Sequence, residues 1–100
     1  NNHVYNQDEI VFTNVYEVTD EYDAEPIVRD FLAGVNRAAV EKGILTDPIT
    51  HTVGVMEGSQ LYELIDEIDN VRGKLSLTAY AREETKSIGP LRLNIRVDKK

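Results

Sequence analysis

From residue 10 the chain alternates. Ile10, Phe12, Asn14, Tyr16 and Val18 fall on one side of a period-two pattern, and Val11, Thr13, Val15 and Glu17 fall on the other, which is the spacing of a β-strand. Apolar residues occur on both sides, so the pattern predicts a central or doubly covered strand. The period then changes. Ile27, Phe31, Val35, Ala38 and Ala39 recur at steps near 3.6, with Val28 and Leu32 widening the stripe, and predict an amphipathic helix over residues 25–42. Pro26 suits its first turn, the acidic connector Asp20, Glu21, Asp23 and Glu25 suits the positive end of its dipole, and Gly43 suits its stop.

Thr46-Asp47-Pro48 is turn chemistry. Residues 50–56 predict a short strand, with Gly54 as a bulge or a point of close approach. Ser59 caps a second helix over residues 59–71, whose apolar stripe is Leu61, Leu64, Ile65 and Ile68, and Gly73 ends it. Leu75, Leu77, Ala79 and Ala81 then alternate with Ser76, Thr78, Tyr80 and Arg82. Leu91, Leu93, Ile95 and Val97 alternate with Arg92, Asn94, Arg96 and Asp98. With the polar connector 83–90 between them, these runs predict an antiparallel hairpin with one dry and one wet face. Residues 1–9 read as a polar N-terminal arm, either loose or a first edge, ahead of one domain over 10–100. The order β-α-β-α-β-β predicts an α+β fold: a twisted sheet of about four strands with two helices on one face.

Composition narrows the class. The 100 residues are 41% hydrophobic and 29% charged, which is globular rather than disordered. With seven aromatics and no Trp, the core is mainly aliphatic. The chain has no cysteine, which removes disulfides, thiolate metal sites and cysteine nucleophiles. That absence tilts the expectation toward the cytoplasm, although secreted bacterial proteins also lack cysteine. The sequence opens on Asn1 and holds its only Met at Met56, which reads as a processed protein or one domain of a longer chain.

Charge is divided along the chain. Residues 1–71 carry fifteen acidic and three basic side chains, −12, and residues 72–100 carry three acidic and eight basic, +5. A field split this way bears on docking and steering rather than on the fold. Its basic part lies on the wet face of the hairpin, where Tyr80, Arg82, Arg92, Asn94 and Arg96 gather. Arginines bind phosphate and an exposed Tyr stacks on a base, so one reading is a nucleic-acid-binding face. Against it stands the acidic remainder, which repels a polyanion.

Other chemistry is thin. Asp20 to Glu25 lacks the spacing and central Gly of a calcium loop. No Gly-rich phosphate loop occurs, and no serine lies in a nucleophile elbow. His51 is the one histidine that a small enzyme could use, paired with a carboxylate distant in sequence. No cofactor is expected. The favoured expectation is a non-catalytic protein-interaction or assembly module, binding another protein or copies of itself, with acidic helices and a basic hairpin. The nucleic-acid face and the His51 enzyme are its alternatives.

Overall fold

The computed structural model describes residues 1–100, the side chain of Val55 excepted. Strands β1 (His3–Tyr5), β2 (Ile10–Val18), β3 (Gly54–Val55), β4 (Gly73–Ala81), β5 (Thr85–Lys86) and β6 (Leu91–Lys99) enclose helices α1 (Ala24–Lys42) and α2 (Gly58–Asp69). The larger sheet has the order β2-β4-β6-β3, antiparallel except for the parallel contact of β3 with β6. β1 and β5 form a second, two-stranded sheet. The fold is α+β, as the alternating periods predict. Among the described residues no helix is long and apolar enough to cross a membrane.

Helix α1 lies against β2, and α2 lies against α1 and β6. Their stripes meet the dry face of the hairpin. Ile27, Phe31, Val35, Leu64 and Ile68 are buried with Leu75, Leu77, Ala79, Leu91 and Leu93, and removing this apolar area from water is the main stabilising contribution. Gly43 ends α1 at φ 124, its N–H donating to the Ala39 and Val40 carbonyls. A left-handed residue is needed there, and glycine adopts it without a steric penalty.

Several expectations change. Helix α2 begins at Gly58 behind Glu57 with no side-chain cap, so Ser59 is not its cap, and it is ended by Asn70 rather than Gly73; the strand over residues 50–56 is confined to Gly54–Val55. Residues 1–9 are no loose arm. Val4 and Tyr5 are buried, β1 pairs with β5, and Lys42 Nζ binds both the Val4 carbonyl and, at 2.7 Å, Glu9. Two apolar side chains in a polar run are enough to pin the segment to the end of α1. β2 is an edge strand rather than a central one. The centre belongs to β4, which pairs along its length with β2 on one side and β6 on the other. Finally, the β2–β4 register shifts between Ile10 and Phe12. This bulge puts an extra residue into β2, so Ile10 faces Tyr80 on the open side of the sheet while Val11 is buried.

Candidate interaction face

The sheet side away from the helices is uncovered, and its cross-strand rows follow from the register. Ile10, Tyr80 and Asn94 form one row; Thr13, Thr78 and Arg96 the next; Val15, Ser76 and Asp98 the third. Arg82 and Arg92 extend it at one end, the Arg82 N–H donating to the Arg92 carbonyl at 2.8 Å. All five residues that alternation places on the wet face, Tyr80, Arg82, Arg92, Asn94 and Arg96, therefore stand together.

The central strand is drier than alternation suggests. Ser76 is 8% and Thr78 5% exposed, because β4 has a strand on either side whose side chains close over it. The Thr78 hydroxyl lies 3.0 Å from that of Thr13, so its buried polar group is satisfied. Toward the β2 edge the face becomes apolar: Ile10 is 53% and Val15 52% exposed.

Each arginine of the face has a carboxylate of its own chain. Arg92 is 2.8 Å from Glu83 and Arg96 2.8 Å from Asp98. Asp98 beside it raises the Arg96 guanidinium above its ordinary value. Arg96 also lies 5.5 Å from the centroid of the Tyr80 ring, in cation–π range. Arg82 reaches farther. Its Nε donates to Asn94 Oδ1 at 3.0 Å, its Nη2 approaches the Leu93 carbonyl and Gln60 Oε1 at 3.3 Å, and Glu57 stands 4.0 Å away. Of these partners Glu83 comes from the hairpin connector and Glu57 and Gln60 from the start of α2, which sequence spacing does not associate with the hairpin face. Only the Arg96–Asp98 pair, two residues apart on one strand, was open to that kind of reading.

The other candidate, His51, takes a left-handed conformation at φ 59 in the 44–54 segment and is exposed. A cleft of about 640 Å³ beside it is lined by Leu45, Asp47, Thr50, Thr52, Ile88 and Pro90 among others, and His51 is not one of them. Among the described residues no group of His, Asp and Glu is arranged to hold a metal ion.

Compared with known proteins, residues 5–99 match the family described as the DUF3084-associated C-terminal helical hairpin. In this chain the two helices, α1 and α2, are joined by residues 43–57 and carry a four-stranded sheet as well. No curated protein and no solved structure matches.

Proposed function

The chain belongs to this DUF3084-associated family, and we propose that it is a protein-interaction module whose docking surface is the open face of the four-stranded sheet. The observation that carries the reading is the internal neutralisation of that face. Arg82, Arg92 and Arg96 each have a carboxylate within the chain, and the Tyr80 ring is faced by Arg96. A polyanion is held by uncommitted cations and free ring faces. A protein partner accepts a different surface: apolar positions such as Ile10 and Val15 beside Tyr and Arg, ringed by polar groups. The family's description as an associated, C-terminal element supports a part that serves another domain or chain.

Photo-crosslinking in the cells that make the protein tests the reading. A benzophenone side chain in place of Val15 or Asn94 is expected to yield one defined protein adduct, and the same group in place of exposed Arg37 none. An adduct with a second copy is checked by light scattering, where self-association gives multiples of 11.3 kDa. If neither face position yields an adduct beyond that of Arg37, the reading fails.

A further inference from the structure

We propose that the cleft between α2 and the outer edge of β6 receives an extended, cationic segment of another protein. This surface is distinct from the open sheet face. β3 covers the outer side of β6 only at Leu91 and Arg92. Beyond them no strand of the described residues pairs with that side, and Gln60 reaches it, its Nε2 donating to the Leu93 carbonyl at 2.8 Å. The cleft measures about 300 Å³; Met56, Leu64, Ile95 and Val97 supply its apolar lining, and Glu63 and Glu67 its charge. Leu91 and Leu93 are fully buried, whereas Ile95 and Val97 on the same strand face are only half-buried. Helix α2 leaves the lower part of β6 uncovered.

The charge of this helix indicates what covers it. Glu63 and Glu67 are exposed and lie in no ion pair among the described residues. One helical turn apart, they repel each other by about 0.2–0.5 kcal/mol. The last turn of α2 has no basic residue, and Asp66, Glu67 and Asp69 oppose the negative end of the helix dipole there. At the helix end Arg72 Nη1 donates to the Asp69 carbonyl at 3.2 Å, but the Glu63–Glu67 repulsion has no compensation inside the chain, a pattern expected at functional surfaces. A cation in the cleft supplies it.

An unpaired strand edge beside an apolar cleft suits addition of a strand. The segment's main chain pairs with β6, and Lys or Arg at alternate positions lays its stem over Ile95 and Val97 with its head at the two glutamates. Alternate residues of a strand are about 6.7 Å apart, and Glu63 and Glu67 are separated by about 6 Å along the helix. A second copy is a poor occupant. Pairing β6 with β6 draws two acidic α2 helices together, in a chain whose net charge is −7.

The test is fluorescence anisotropy on the full chain at low salt, with a short labelled peptide alternating Lys and Thr. Saturable binding is expected, weakened about tenfold or more by Glu63→Lys/Glu67→Lys. Glu21→Lys/Glu41→Lys, the same change of net charge elsewhere, should leave it intact, as should Val15→Arg on the open face. The same peptide with every backbone nitrogen methylated keeps the charge but lacks the N–H donors, and is expected to bind far more weakly. Three results overturn the proposal: no saturable binding, equal weakening by both charge-reversed pairs, or equal binding of the two peptides. Circular dichroism checks that Glu63→Lys/Glu67→Lys is folded. Should it not be, Glu63→Gln/Glu67→Gln replaces it, and unweakened binding in that variant counts against the cleft.

Discussion

A Cβ placed on Gly34 lies 2.4 Å from Cε2 of Phe12, so α1 and β2 meet here without room for a methyl group. The ring has little freedom to retreat, because Phe31 packs against it at 5.6 Å, tilted by 40°, and in turn meets Tyr16 edge-on. In Gly34→Ala two effects oppose. Alanine favours the helix by about 1 kcal/mol, while overpacking costs about 1–3 kcal/mol. The variant is expected to be less stable by about 1 kcal/mol in urea unfolding. Adding Phe12→Leu should cost less in the Gly34→Ala background than in the parent; equal costs in both would show that the two residues are not coupled.

Tyr5 anchors the N-terminal segment with its ring 1% exposed and its hydroxyl buried without a hydrogen-bond partner. Burial first, and then the Glu9 charge, raise its pKa. Lys42 Nζ sits 4.4 Å from the ring centroid, a contact that phenylalanine keeps. An unsatisfied buried hydroxyl costs about 1–3 kcal/mol. Tyr5→Phe is therefore expected to stabilise the protein by about 1 kcal/mol, whereas Tyr5→Ala should cost about 3–5 kcal/mol. Thermal unfolding of the two variants checks both signs.

What the sequence made legible, and what it hid, divides on the length of the pattern. α1, α2 and the two long strands of the hairpin each repeat their period several times, and the structure places them within a few residues of the predicted ends. β1 and β5 are too short to show a period, and Thr85-Lys86 carries no apolar residue at all; their pairing joins opposite ends of the chain. The β2 pattern reads correctly as a strand but cannot name its neighbours, so exposed Val15 looks like core. No Gly or Pro marks the bulge that turns Ile10 outward. At the candidate face, alternation gathers the five hairpin residues, yet it is blind to the carboxylates opposite them. Glu83 meets Arg92 only through the hairpin register, and Glu57 meets Arg82 only because α2 starts beside β6.

Acid should loosen the N-terminal anchor. The Asn6 N–H donates to Glu9, and with Lys42 it holds the Glu9 carboxyl below its ordinary 4.5. The native state thus binds this proton less readily than the unfolded chain does. The stabilisation is present above the unfolded value and is lost as pH falls through the lowered native one. Urea midpoints measured from neutral pH down through the carboxylate range should fall more steeply for the parent than for Glu9→Gln, which cannot ionise. Asp47, also lowered by the N–H groups of Thr50 and Ile49, leaves a residual slope in both. Parallel curves for parent and variant would remove Glu9 from the account.

The three arginines of the open face should differ in what they hold together. Arg92 and Arg96 pair with carboxylates of the hairpin itself, in exposed positions. Water and salt screen such pairs, and their truncation to alanine is expected to change stability by less than about 0.5 kcal/mol. Arg82 instead links β4 to Asn94, to the Leu93 carbonyl and to Gln60 in the first turn of α2. Gln60 binds the same carbonyl, so the two side chains share one acceptor at the point where α2 meets the sheet. Losing two partly buried hydrogen bonds there should cost about 1 kcal/mol. The loss should be local as well as global. Hydrogen exchange in Arg82→Ala is expected to accelerate in the first turn of α2 more than in β4, because that turn has no side-chain cap of its own. Uniform acceleration across the domain, or a cost no larger than that of Arg92→Ala, would mean that Arg82 is one more surface charge rather than the tie between hairpin and helix.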